Sequence, residues 1–193
     1  MYSAVLDTCV LVPDLQRDFL LQLAAEWSYA PLWGTGILTE LEYVLGKLDE
    51  ERGLHDRGES RRHLLTQMDL FFPGSRIEAP KGRTYGYGLA DPGDEHVAHA
   101  ALFGKADAIV TSDRRSGMEY SHLLRQASIE VIEPQVFAAN TVIAHKDAGV
   151  RAIFELAQRR RRPPSSPMEL LERLRDRFAM EEVYEHLHRP LME

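Results

Sequence analysis

The chain has 193 residues, 44% of them hydrophobic, and a formal net charge of −7. This composition can bury the core of one domain, or of one domain with an extension, and the negative charge argues against nonspecific coating of nucleic acid. The single cysteine, Cys9, excludes an internal disulfide and a cysteine-rich zinc site. No apolar run approaches the length that spans a bilayer and no leader pattern precedes the first strand, so we expect a cytoplasmic protein without a membrane partner.

Two short apolar runs each end at an aspartate. Residues 3–6 are followed by Asp7 and Thr8, and residues 108–111 are followed by Ser112 and Asp113. Such runs predict buried parallel strands, whose interiors cannot hold an unpaired carboxylate. The acids are therefore expected at the strand ends, on the rim of the sheet where ligands bind.

The remaining segments alternate between helix and strand patterns. Helices are predicted at 14–27, after 34–35, at 60–72, at 116–126 and from Pro134, with strands at 29–33 and 129–132. This alternation predicts a three-layer α/β/α, Rossmann-like fold with a central parallel sheet. The helix after residue 35 carries Glu40 and Glu42 on either side of its buried stripe, and its periodicity does not decide which one faces the acidic rim.

The stretch from Asp91 to Leu102 predicts a helix start. Asp91 is a good N-cap, Pro92 suits the first helical position, and Asp94 lies at the head of the buried stripe. Asp94 is thus either an inward-facing charge or a second part of the cap. The nearby His96 and His99 are expected at the surface.

The segment 80–89 carries two basic and two aromatic residues. Lys81 and Arg83 are followed by Tyr85 and Tyr87, a pattern suited to phosphate contacts and base stacking. The alternative is an ordinary solvated connection with two tyrosines packed at its base.

The composition changes towards the C-terminus. The arginine run 159–162 leads into the proline-rich residues 163–167, and Ser166 with Glu169 predicts a capping box that starts a helix. We therefore predict a sheet domain at 1–140 and a helical extension at 141–193.

Four segments in this order resemble the PIN-domain ribonucleases, among them the VapC toxins of bacterial toxin–antitoxin pairs. They are residues 5–11, 37–45, 91–98 and 106–113, and the resemblance covers about residues 2–138. It implies a PIN-like nuclease domain whose catalytic metal site is formed by Asp7, Glu40, Asp94 and Asp113, so Glu40 is chosen over Glu42. Carboxylates suit hard ions such as Mg²⁺ or Mn²⁺, which can activate water for phosphodiester hydrolysis.

Further residues are predicted to support this site. Those expected to hydrogen-bond the metal ligands or water are Thr8, Asp91, Thr111 and Ser112. Those expected to bind substrate are Lys81, Arg83, Tyr85, Tyr87 and Arg114.

The resemblance implies a metal-dependent ribonuclease that acts as a type II toxin, with RNA as substrate, a cognate antitoxin as partner, and a homo-oligomeric state. Cys9 stands where many members have Asn, and residues 114–117 lack an acid that many members carry. These departures leave open a catalytically weak PIN-like module that binds RNA or protein. A metal-dependent phosphatase is the third alternative.

Overall fold

The structure, a computed structural model, describes residues 1–160 and 165–192. The chain divides into two compact units. The first, here called the sheet unit, consists of Tyr2–Val12 and Pro31–Val131. The second, the helical unit, consists of Met1, Pro13–Ala30 and the described residues from Ile132 onward.

Five parallel strands form one sheet, in the order β3-β2-β1-β4-β5. The strands are β1 (Ser3–Leu6), β2 (Ala30–Gly34), β3 (Arg76–Ile77), β4 (Ala108–Val110) and β5 (Glu130–Ile132). In the central pair, Ala4 lies opposite Ala108 and Leu6 opposite Val110. With the helices around it, this sheet confirms the predicted α/β fold class.

The central strands are short and wholly buried apart from Ser3. All three residues of β4, and Ala4, Val5 and Leu6 of β1, are fully buried. Apolar burial on both faces is what parallel strands require. The next residues along the chain, Asp7 and Thr111, carry the first polar side chains, so the rim of the sheet begins where the apolar runs stop.

Helices of the sheet unit follow most of the predicted pattern. They are α1 (Thr8–Leu11), α3 (Thr35–Glu51), α4 (Gly58–Phe71), α5 (Glu95–Gly104) and α6 (His122–Gln126). The apolar stripe of α3 is buried at Ile37, Leu38 and Leu41, and α3 packs on α4 and α5. These contacts explain why α3 keeps one face towards the core.

Two predicted helices have different starts. The helix predicted at 116–126 is a 3₁₀ turn at Met118–Tyr120 followed by α6, because Gly117 adopts a left-handed φ of +75° and Ser121 caps a new helix. The helix predicted from Asp91 begins with a 3₁₀ turn at Pro92–Asp94 before α5. The two-residue strand β3 was not predicted, since so short a pairing has no periodicity to detect.

The helical unit contains α2 (Asp14–Ala25), α7 (Pro134–Ala144), α8 (Lys146–Arg159), α9 (Pro167–Phe178) and α10 (Glu181–Leu187). Helix α8 packs on α2, where Arg151 Nε lies 2.7 Å from Glu26 Oε2. Helix α2 thus shares a unit with residues after 132, and the predicted boundary at residue 140 stays a prediction. Residues 161–164, which carry part of the arginine run and of the proline-rich segment, lie outside the described residues.

No helix in the described part of the chain is both long and apolar enough to span a bilayer.

The predicted capping box of α9 is confirmed. Glu169 N donates to Ser166 Oγ at 3.2 Å and Ser166 N donates to Glu169 Oε2 at 2.7 Å. We expect Ser166→Ala to lower the free energy of unfolding by about 1 kcal/mol, because an N-cap acceptor is lost. Ser166→Asp keeps an acceptor and is the matched control. Denaturant unfolding measures both, and equal stability of the Ala and Asp variants would contradict the assignment.

Candidate active site

Asp7 lies at the end of β1 and is held by its neighbours on β4 and α1. Its Oδ1 accepts a hydrogen bond from Thr8 N at 2.6 Å, and its Oδ2 accepts one from Thr111 Oγ1 at 2.7 Å. Asp7 N in turn donates to Val110 O at 3.1 Å, which continues the ladder between the two strands. The carboxylate is buried and fixed at both oxygens.

Asp113 is connected to Asp7 through one hydroxyl. Thr111 Oγ1 accepts from Asp113 N at 3.0 Å while donating to Asp7. The Asp113 carboxylate accepts from Arg115 N at 2.8 Å and has Arg115 Nε at 3.8 Å. Thr111 therefore links the two strand-end aspartates, as a supporting residue would.

Asp94 stands at the start of α5 but does not cap it. The capping bond in this turn belongs to Asp91, whose carboxylate accepts from Gly93 N at 2.7 Å. Asp94 makes no side-chain cap bond, and its Oδ2 is buried with no hydrogen-bond partner among the described residues. The geometry thus assigns the cap to Asp91 and leaves Asp94 as the inward-facing charge.

The position of Glu40 distinguishes it from Glu42. Glu40 Oε2 accepts from Thr8 Oγ1 at 3.0 Å, and Glu40 Oε1 pairs with the ammonium of Lys81. Glu42, two residues along α3, is exposed to solvent. Glu40 is therefore the member of the pair that contacts the residues next to Asp7.

Gly36 makes the approach of Lys81 to Glu40 possible. A Cβ at this position would lie 2.6 Å from Lys81 N and 2.7 Å from Ala79 O, closer than real contacts allow. Gly36 N donates to Ala79 O at 2.9 Å, so the segment before the basic loop lies directly on the first turn of α3. Glu40 is four residues after Gly36, on the same side of the helix.

His96 is buried, and the prediction that it lies at the surface is wrong. Its Nδ1 lies 2.8 Å from Gly93 O, a carbonyl that can only accept, so Nδ1 carries the proton. Burial lowers the pKa of His96, which favours the neutral ring. Its Nε2 is then a bare acceptor, 3.7 Å from Glu40 Oε2 and without a hydrogen-bond partner within the described ranges.

The carboxylates around Asp94 affect one another's protonation. Burial, together with the smaller effects of the charges of Asp7, Asp91, Asp113 and Glu40, raises the pKa of Asp94 to about 7. Burial also raises the pKa of Asp7, although the bonds from Thr111 and Thr8 oppose it. Since several anions repel one another here, a cation among them would stabilise the folded protein.

The chemical type of the side chains in this region suits a hard divalent ion. Oxygen ligands predominate, and Asp94 Oδ2 is buried without a partner. In the described residues, however, no three His, Cys, Asp or Glu side chains are grouped closely enough to hold a metal ion. The Lys81 ammonium occupies part of this acidic region by pairing with Glu40.

Glu95, the residue after Asp94, organises the basic loop at 80–89. Its Oε2 accepts from Tyr85 N at 3.2 Å and Gly86 N at 2.9 Å, and its Oε1 accepts from Gly88 N at 2.9 Å. Burial would raise the pKa of Glu95, but these backbone donors outweigh it and hold the pKa below its usual value. The two glycines adopt left-handed φ values of +72° and +69°, which allow the loop to wrap the carboxylate. Sequence reasoning missed this role.

The other predicted substrate residues are placed around this loop. Tyr85 Oη donates to Pro80 O at 2.9 Å, and the Arg83 guanidinium lies 5.9 Å from the centre of the Tyr85 ring. Tyr87 Oη and His99 Nδ1 are 2.6 Å apart. Arg114 is exposed on the loop after β4, next to Asp113 in the chain. The structure thus brings Lys81 into contact with a carboxylate of the site, whereas Tyr85 and Tyr87 contact the loop and α5.

Cys9 and Ser112 contribute hydrogen bonds at the rim. Ser112 N donates to Cys9 Sγ at 3.3 Å, and Cys9 Sγ donates to Asp7 Oδ2 at 3.4 Å. Burial and the charge of Asp7 raise the pKa of the Cys9 thiol to about 11. A thiol that stays protonated is a poor nucleophile, so its contact with Asp7 is structural.

Comparison with known proteins adds a family assignment. A search of curated proteins and a search of solved structures gave no match. The sequence model of the PIN domain matches residues 3–115, a range that includes all four predicted metal ligands. Because the match takes in more than half of the chain, the protein belongs to the PIN-domain family, whose members are in general nucleases that use divalent metal ions.

Proposed function

We propose that this protein is a ribonuclease that hydrolyses RNA phosphodiesters with Mg²⁺ or Mn²⁺. Asp7, Asp94 and Asp113 hold the metal, with help from Glu40. The observation that carries the proposal is Asp94, a carboxylate without a capping role whose buried Oδ2 has no hydrogen-bond partner among the described residues. The charges of the other three acids all act on it.

The surrounding residues orient these ligands. Thr8 fixes Asp7 through its N–H and Glu40 through its hydroxyl, while Thr111 joins Asp7 to Asp113. Such bonds hold carboxylate ligands in position and make them better suited to a metal. When bound, a divalent ion supplies an activated water and stabilises charge on the leaving oxygen.

Cations of the basic loop and of the loop after β4 support RNA as the substrate. Lys81, Arg83 and Arg114 supply positive charge in a chain that is negative overall, so phosphates must meet local cations or the metal. From the family resemblance we further propose a cytoplasmic VapC-like toxin that forms a homo-oligomer and binds a cognate antitoxin. A small antitoxin-like reading frame beside the gene, whose product suppresses RNA cleavage on mixing, would support this finer assignment.

A catalytically weak RNA-binding module is the second candidate. It is favoured by the cations that already contact two of the acids, Lys81 at Glu40 and Arg115 at Asp113. Under this alternative, RNA binding persists in the presence of Mn²⁺ without cleavage. Incubation of single-stranded RNA with and without Mn²⁺ distinguishes the two.

Asp→Asn changes at residues 7, 94 and 113 are expected to abolish metal-dependent RNA cleavage. An amide is nearly isosteric with a carboxylate but has no charge and is a poor ligand for a hard dication. Glu40→Gln should lower the rate at least tenfold, whereas Glu42→Gln, on the exposed side of the same helix, should cut at the wild-type rate. Gel-based cleavage assays measure this, and full activity in Asp94→Asn would overturn the proposal.

Asp94 is also expected to control stability in the absence of metal. Its folded pKa of about 7 lies above the unfolded value near 3.9, so folding favours its neutral form. The stability it contributes is present below about pH 4 and is lost as pH rises through about 7. At pH 8 in EDTA, Asp94→Asn should therefore exceed the wild type by about 1–2 kcal/mol, allowing for solvent screening.

Thermal unfolding with and without Mn²⁺ tests this role of Asp94. The wild type should gain stability on adding Mn²⁺, by linkage, and Asp94→Asn should not. Asp91→Asn is the matched control, because it removes a neighbouring charge but keeps a good cap, and its response to Mn²⁺ should persist. An Asp94→Asn protein that is destabilised and still responds to Mn²⁺ would exclude Asp94 as a metal ligand.

Arg83 is expected to act on RNA affinity through charge. It lies in the exposed loop, and removing one phosphate contact should lower the slope of log affinity against log salt by about 0.7 for a single strand. Arg83→Met is compared with Lys47→Met, which removes an exposed cation on α3. Binding titrations at several salt concentrations measure the slopes, and identical slopes for the two variants would remove Arg83 from the RNA-binding surface.

A further inference from the structure

Three aromatic rings form a continuous stack on α5 and the basic loop. The His99 ring lies 4.2 Å from Tyr85, centre to centre, with 29° between the planes, and 4.3 Å from Phe103, with 32° between the planes. Tyr87 lies beside this stack, nearly parallel to His99 and hydrogen-bonded to it. The rings of Tyr85 and His99 therefore already contact other rings, unlike isolated surface tyrosines.

Phe103 forms the exposed end of the stack. Its side chain is 70% exposed, although one side of the ring packs on His99. A phenylalanine in contact with solvent loses the free energy that burial would supply. The open side of Phe103 is thus an apolar, planar surface of the size of an aromatic ring.

The stack is held in place before any ligand arrives. Glu95 on α5 accepts three backbone hydrogen bonds from the loop that carries Tyr85, and Tyr85 Oη is bonded to Pro80 O. The helix supplies His99 and Phe103 four residues apart, on one side. A surface fixed in this way binds a planar ligand with a smaller loss of conformational entropy.

Charge next to the stack favours a ligand that carries phosphate. The Arg83 guanidinium lies over Tyr85, and its charge lowers the pKa of His99 in addition to the larger effect of burial. The same loop carries Lys81, which contacts Glu40 in the acidic site. A cationic loop therefore runs from the carboxylates to the aromatic stack.

We propose that the open side of Phe103 binds an unpaired base of single-stranded RNA. This proposal rests on the ribonuclease function proposed above. Bases in a duplex are stacked on their neighbours, so only an unpaired base can present its ring to a protein side chain. Phe103 is eight residues after Glu95, the first residue of α5, which corresponds to roughly 12 Å of helix. The bound base therefore lies at the other end of α5 from Asp94.

The test measures RNA affinity in EDTA, by fluorescence anisotropy of a labelled single-stranded RNA and the full-length protein. Phe103→Ala should weaken binding about five- to a hundredfold, as loss of one stacking contact predicts, and Phe103→Trp should bind within about twofold of wild type. Phe71→Ala is the matched control, because Phe71 is equally exposed at 69% but lies outside the stack. Unchanged affinity of Phe103→Ala, or an equal loss for Phe71→Ala, overturns the proposal.

A scan with abasic nucleotides shows whether a base is the ligand. One position should exist where removing the base weakens binding to the wild type but hardly affects Phe103→Ala, since the two changes remove the same contact. A loss for Phe103→Ala that is the same at every abasic position overturns base stacking. A change from oligomer to monomer with unchanged RNA affinity would instead assign this surface to a second copy of the chain.

The ribonuclease proposal is tested separately. Failure of the wild type to cut RNA with Mn²⁺ overturns catalysis, while the anisotropy experiment, which needs no metal, still decides the role of Phe103.

Discussion

The pairing of β1 with β4 is the constraint on which the acidic site depends. Three fully buried residues of β1 face three of β4, and the ladder continues for one bond beyond the apolar runs, from Asp7 N to Val110 O. In this register, the Thr111 hydroxyl donates a hydrogen bond to Asp7 and accepts one from the N–H of Asp113. A shift of one residue would separate these partners.

Much of this arrangement could be predicted because it follows from local patterns. Apolar runs that stop at a carboxylate identify strand ends, and parallel pairing gathers those ends at one rim. The helix start at residue 91 could also be predicted, since Asp91 and Pro92 are typical of the first turn. The helical periodicity could not decide between Glu40 and Glu42, and the choice of Glu40 required the family resemblance.

The remaining features depend on contacts between segments that are distant in sequence. His96 was expected at the surface because the sequence pattern gives this helix one buried face, but four consecutive residues of the first turn of α5, from Glu95 to Ala98, are buried. Lys81 reaches Glu40 only because Gly36 lets the chain before the loop lie against α3. The hydrogen bonds of Glu95 to the loop involve backbone N–H groups, which leave no signature in the side-chain pattern.

The contacts of Glu95 also couple the motion of the basic loop to that of the start of α5. Because one carboxylate at the start of α5 accepts the N–H groups of Tyr85, Gly86 and Gly88, these amide hydrogens become accessible to solvent when the loop and the helix start separate. The amides should then exchange with deuterium as a group, at the rate of a single local opening. Since Asp94 immediately precedes Glu95, that opening also displaces an acid of the candidate site, and the backbone of the loop reports on its order.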